Sequence, residues 1–188
     1  MIELHKDLAN LKLMILNTGF EINDNRLGRI VTVECVSYTS RDIILTELSK
    51  ETILPKYDND WNRMKQSFST AVEELKKYPT SRRAVVLNTN NYNKIYPCFV
   101  SIQFLYSPVK QSYGAIVSQR SLSIDKFQDD LIFFSYLMRK MEESLKKKVN
   151  WLIVNIGSLH CILNPSIAQI KENTNEKSKN NKYLVSRK

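Results

Sequence analysis

Residues 113–156 read YGAIVSQRSLSIDKFQDDLIFFSYLMRKMEESLKKKVNWLIVNI. The pattern in this stretch changes twice. Residues 113–121 are rich in Val, Ile and Tyr, which predicts a strand. Leu131, Phe134, Met138, Met141 and Leu145 then step by three and four, the spacing of one helical face. Asp129 and Asp130 stand near the start of that helix and Lys146, Lys147 and Lys148 at its end, each where its charge suits the helix dipole. The run WLIVNI at 151–156 is apolar apart from Asn155 and predicts a strand covered on both faces. Strand, long helix, strand in this order implies an α/β layer fold built around a sheet.

Working outward, residues 83–87 and 98–106 also carry strand composition, and 98–106 with 113–121 reads as a hairpin across Pro108. Met64, Phe68, Val72 and Leu75 form a second helical stripe ended by Pro79. Residues 50–62, with Pro55 and no sustained period, read as a connection holding about one turn of helix. Leu4, Leu8, Leu11 and Ile15 draw a first helix, with Gly19 just past its end. Residues 29–38 read as a strand, and 43–45 as another. The expectation is one α/β (α+β) domain over residues 1–170, a mixed sheet flanked by helices, followed by a basic tail at 171–188.

Composition fits that reading: 188 residues, 43% hydrophobic and 25% charged, suffice for one core. No secretory leader and no window approaching the roughly 20 apolar residues of a membrane span is seen, so a cytoplasmic protein is expected. Cys35, Cys98 and Cys161 are odd in number and widely spaced, suggesting neither a disulfide framework nor a metal site. The net charge of +9 raises nucleic acid as a partner. Residues 171–188 alone carry six basic and two acidic residues, so much of the excess lies in an Asn/Lys-rich tail and nucleic acid is not favoured.

Chemistry centres on Cys98. A free cysteine is commonly a small buried hydrophobe. Here it opens a strand directly after Pro97, and the chain offers Arg82, Arg83 and Arg120 to bind an anion and favour a thiolate. Four blocks in order carry a resemblance. Ser81-Arg82-Arg83 precedes a strand; Pro97-Cys98 precedes Gln103-Phe104; Gln119-Arg120-Ser121 follows; and Gly157-Ser158-Leu159-His160 comes after a long helix. Together they resemble thymidylate synthase, over about residues 4–163 with one large gap.

The resemblance implies a thymidylate-synthase-like sheet with a long central helix, in a homodimer that binds a pyrimidine nucleoside monophosphate. It makes Cys98 the nucleophile that adds to C6 of the base, so that C5 can attack a one-carbon unit carried by methylenetetrahydrofolate. Arg120 and Ser121 correspond to phosphate ligands from the same subunit, Arg82 and Arg83 to ligands reaching across the dimer, and Arg26 to one from the early loop. Gln103 and His160 correspond to residues near the base and the sugar hydroxyl. Asp130, or Leu131, falls where the pyrimidine edge is read. Asp58 or Asp60 stands in for a catalytic glutamate near Trp61. The implied activity is C5-methyl or hydroxymethyl transfer; the alternative is a weakened homologue that binds nucleotide without turnover.

The departures from the family are specific. Phe99 replaces the histidine after the nucleophile, Ile162 replaces a tyrosine, and Ser123 replaces the aspartate that supports folate, with Asp125 two residues on. Several dozen residues are missing between Trp61 and Met64, and ENTNEKSKNNKYLVSRK takes the place of the closing C-terminal region. Bland readings stand beside the functional ones. Asp129 and Asp130 favour a helix start, Arg82 and Arg83 are surface charges, Gln103 faces solvent, and His160 is a structural histidine.

Overall fold

The computed structural model describes residues 2–41, 54–88 and 98–164. The expected strand at 43–45, Pro97 and the basic tail lie outside these residues. The chain runs α1 (Ile2–Thr18), β1 (Phe20–Asp24), β2 (Gly28–Arg41), a 3-10 turn (Leu54–Tyr57) and α2 (Asp58–Lys77). It continues through β3 (Val85–Leu87), β4 (Phe99–Ser107), β5 (Ser112–Ser123), a second 3-10 turn (Ile124–Lys126), α3 (Phe127–Leu145) and β6 (Val149–Ile162). The result is mixed α/β: a six-stranded sheet in the order β1-β2-β6-β5-β4-β3, with three helices among the described residues. Among the described strands only β5 and β6 pair in parallel, because α3 carries the chain back between them. None of the described helices is long and apolar enough to cross a membrane.

Several expectations shift at their boundaries. α2 starts at Asp58, so Asp58 and Asp60 lie in a helical first turn rather than in an irregular connection. Carboxylates there meet the positive end of the helix dipole, which offsets the weak apolar pattern before Met64. β1 was not foreseen: its five residues, FEIND, form an edge strand whose side chains are mostly exposed, so no alternation announces it. β6 is central, as expected, but its cover is unequal. Leu152, Val154 and Ile156 are buried, Ile153 is only half-buried and Asn155 is exposed.

One row across the sheet explains why the strands outrun their sequence signals. In β2 the buried or half-buried apolar set steps from Val33 to Val36, skipping Cys35 at φ 57°. In β6 it steps from Ile156 to Leu159, in β5 the buried residues step from the polar Gln119 to Leu122, and in β4 a register shift at Val100 separates Phe99 from Ile102. An added residue flips alternation to the other face, so each skip keeps the apolar residues of both strand halves on the helix side. The skips are aligned: Glu34 pairs with Ser158 and Val36 with Ile156, while Gln119 pairs with Ile156 and Ser121 with Ser158. One continuous core results, from Ile15 and Val31 through Leu159 and Leu122 to Phe104, Leu137 and Met141.

Candidate functional site

At the end of the sheet where β4 begins and β5 finishes, Cys98 is exposed. Its carbonyl accepts the backbone N–H of Arg120 at 2.8 Å, which makes the two residues cross-strand neighbours. The next strand brings in Gly157. A Cβ there would stand 2.7 Å from the Arg120 carbonyl oxygen, so the glycine lets β6 close against the arginine. Beyond it, the Ser121 hydroxyl and His160 Nδ1 approach to 3.5 Å, and the Thr32 and Ser158 hydroxyls share a hydrogen bond of 2.8 Å. His160 is buried, and burial lowers its pKa while the Asp24 and Asp125 carboxylates raise it. Asp24 Oδ1 accepts the N–H groups of Arg26 and Leu27, at 2.8 and 2.9 Å, which shapes the β1–β2 turn and places exposed Arg26 on this end of the molecule. Those two bonds hold the Asp24 carboxyl below its usual range.

The helix side of the same end holds a second polar group. Gln119, opposite Phe99 in the ladder, donates from Nε2 to Asp130 Oδ2 at 2.7 Å, and the Tyr57 hydroxyl donates to Asp130 Oδ1. Burial pushes the Asp130 carboxyl up, against the pull of these two bonds. Burial and the facing carboxylate push the Tyr57 hydroxyl up as well. Asp129 instead pairs with Lys56 at 3.0 Å, an ion pair at the helix start. Asp60 Oδ1 accepts from Arg63 at 2.7 Å and from Asn88 Nδ2 at 2.7 Å; Asn88 Nδ2 also donates to the Phe99 carbonyl at 3.2 Å. Asp60 is thus joined through Asn88 to the residue after Cys98, whereas Asp58 is exposed.

No protein-family model matches the chain, and no curated protein matches it.

The geometry itself divides the residues singled out from the sequence. Cys98, Arg120, Ser121, His160, Asp130 and Asp60 gather at one end of the sheet. Gln103 lies five residues along β4, roughly 16 Å away at ~3.3 Å per residue. Its Nε2 donates to the Arg82 carbonyl at 2.7 Å. Arg82 lines a pocket with Leu105 and Tyr106, toward the opposite end of β4, and Arg83 is exposed beside it. Within one copy of the chain, Arg82, Arg83 and Gln103 therefore stand apart from Cys98.

Three members of the site carry no sequence expectation. Tyr57 falls in the segment read as a connection, and nothing in its spacing marks it. Asn88 follows a strand, and its 3% exposure comes from packing at the β3 end rather than from any local pattern. Gln119 belongs to the quoted Gln119-Arg120-Ser121 block, yet its partner Asp130 is eleven residues away on α3. Phe99 is also accounted for: it packs on Phe134 at 5.1 Å and Phe133 at 6.2 Å, so the side chain after the nucleophile candidate belongs to the core.

Proposed function

We propose that the chain is a shortened, divergent thymidylate synthase homologue that binds a pyrimidine nucleoside monophosphate and activates C5 of the base through Cys98. One observation carries this reading. Three blocks far apart in sequence, at Cys98, Arg120-Ser121 and His160, abut on three adjacent strands through the Arg120–Cys98 backbone bond and the Ser121–His160 contact. A six-stranded mixed sheet with a long helix between its two parallel strands supports the same fold family.

In the proposed step the Cys98 thiolate forms a bond to C6, and the C5–C6 π electrons move into the carbonyl-conjugated system, leaving C5 nucleophilic. C5 takes up an electrophile, its own proton leaves to base, and the thiolate is expelled from C6 as the C5=C6 double bond re-forms. Arg120 and Ser121 hold the phosphate with Arg26, and Arg82 and Arg83 reach it from a second copy in a homodimer, which accords with their distance from Cys98 within one copy. His160 serves the sugar hydroxyl. Asp60 serves as the acid/base carboxylate in preference to Asp58, because Asn88 ties it to the Cys98 strand. Asp130 reads the base, and a carboxylate there favours the amino edge of cytosine.

The resemblance places the folate-supporting aspartate where this chain has Ser123, so a folate donor would lack that carboxylate. Ser123 makes no side-chain capping bond, and Asp125 is paired with Lys12 at 3.4 Å. Phe99, buried against α3, supports the second reading, a homologue that binds nucleotide without turnover. Calorimetric titration with dUMP and dCMP tests the shared premise: Arg120→Ala weakens binding by at least about tenfold, as expected for a lost charge-assisted contact. Absence of binding by any pyrimidine nucleotide rejects both readings.

A further inference from the structure

Three segments converge on the end of the sheet away from Cys98. After α2, the Pro79 carbonyl accepts the Tyr113 hydroxyl at 2.9 Å; after α3, the Lys148 carbonyl accepts the Tyr113 N–H at 3.0 Å. Tyr113 also pairs with Tyr106 beside the β4–β5 turn that carries Lys110. Lys76, Lys77, Lys110, Lys146, Lys147 and Lys148, all exposed, are thereby collected at one end. Residues 76–83, 105–113 and 144–151 contain no Asp or Glu. Two carboxylates from the helix ends are already engaged, Glu74 by the Ser81 hydroxyl and Glu142 by the Val149 N–H at 3.1 Å. The negative ends of the helices account for Lys76 and Lys77 in the last turn of α2 and for Lys146 just past α3. Lys110, Lys147 and Lys148 lie outside any helix.

A pocket of about 430 Å³ opens at this end. Trp151, Tyr106, Leu105 and Ile153 supply its apolar and aromatic lining, and Arg82 and Lys110 its charge. Lys110 Nζ stands 4.5 Å from the Trp151 ring centre and covers the indole, which is 5% exposed, so Tyr106, only half-buried, is the more accessible ring. Trp151 lies over Gly114, where a Cβ would fall 1.9 Å from the ring, so the bare backbone seats the indole in the sheet face. Phosphate-binding cations around an aromatic pocket are what an unpaired nucleotide chain requires: charge along the backbone and a surface for a base.

We infer that this end binds single-stranded nucleic acid, the lysines contacting phosphates and the pocket between Trp151 and Tyr106 receiving a base. A duplex keeps its bases stacked, and a lipid surface offers no ring to fill the pocket. The inference does not rest on the chemistry proposed for Cys98, although both use Arg82, which is therefore left in place in the test.

The experiment is fluorescence anisotropy of a labelled oligothymidylate with the full chain, at salt from about 50 to 200 mM. The triple variant Lys110→Gln, Lys147→Gln, Lys148→Gln loses at least about tenfold in affinity, and the slope of log K against log salt becomes shallower by about 2, at ~0.7 per phosphate contact on a single strand. Lys65→Gln with Lys126→Gln, away from this end, changes little. An abasic oligonucleotide of equal charge binds the parent chain about tenfold or more weakly, since base stacking contributes ~1–3 kcal/mol per base. A thermal midpoint equal to that of the parent shows that the triple variant is folded. Absence of oligonucleotide binding, equal affinity and slope in the triple variant, as binding through the tail alone would give, or capture by phosphatidylserine vesicles without oligonucleotide binding overturns the inference.

Discussion

Replacing Gly157 by alanine tests how closely β6 must approach Arg120. The added Cβ falls 2.7 Å from the Arg120 carbonyl oxygen, where ordinary contact begins at 3.4 Å, and the opposing atom is backbone rather than the end of a flexible side chain. The two strands must part by roughly 0.7 Å or the local backbone must tilt, a form of overpacking that costs about 1–3 kcal/mol. For a chain of this size each kcal/mol lowers the thermal midpoint by about 2–4 °C, so a fall of about 2–12 °C is expected by calorimetry. Parting β5 from β6 also moves Arg120 and Ser121 away from His160. Positional errors near 1 Å cost roughly 100-fold in rate, so nucleotide affinity or turnover should fall by about tenfold. Gly114→Ala is the comparison: its Cβ collides with the Trp151 ring at 1.9 Å, at the far end of the sheet, and should destabilise without parting Ser121 from His160. A Gly157→Ala protein with the parental midpoint and parental affinity would refute the reasoning.

Other perturbations follow from the same contacts. Phe99→His, which installs the residue that thymidylate synthases carry after their nucleophile, should lower stability by about 3 kcal/mol in denaturant titration, because the side chain packs on Phe133 and Phe134 rather than facing Cys98. An unchanged midpoint with gained turnover would contradict that placement. Asp130 binds its proton more tightly folded than unfolded, so its contribution declines as pH rises from about 4 through the raised folded value. Asp130→Asn should therefore gain in midpoint relative to the parent between about pH 4 and pH 7, and a constant difference would count against burial as the cause. His160 has the opposite sign: its folded pKa is lowered from 6.5, so the parent loses stability as pH falls below that value, and His160→Gln should flatten this limb of the pH–stability curve.

Period and composition made the layer order legible. The spacing from Leu131 to Leu145 gave α3, WLIVNI gave the central strand, and 98–106 with 113–121 gave the β4–β5 hairpin. Alternation failed where the fold departs from strict period two. The strand beginning at Trp151 seemed to end at Ile156 because Gly157 and Ser158 interrupt the pattern, yet β6 continues to Ile162 once the skip has restored Leu159 and Cys161 to the helix side. Of the candidate site, Cys98 and the Arg120-Ser121 pair could be singled out from the sequence, and the fold brings them to neighbouring positions. It was not legible where partners come from tertiary packing: no spacing links Tyr57 to Asp130, or Asp60 through Asn88 to Phe99. Asp130 stands in the first turn of α3, as its helix-start reading has it, and is also half-buried between Tyr57 and Gln119, partners that no spacing announces.

Release of tritium from C5 of labelled dUMP and dCMP tests the central claim most directly, since exchange at C5 requires addition at C6 but not a completed transfer. The account predicts release with at least one of the two nucleotides, faster with dCMP, and its loss in Cys98→Ala, a substitution at an exposed position that should leave the thermal midpoint in place. No release from either nucleotide, or release that survives Cys98→Ala, would contradict it.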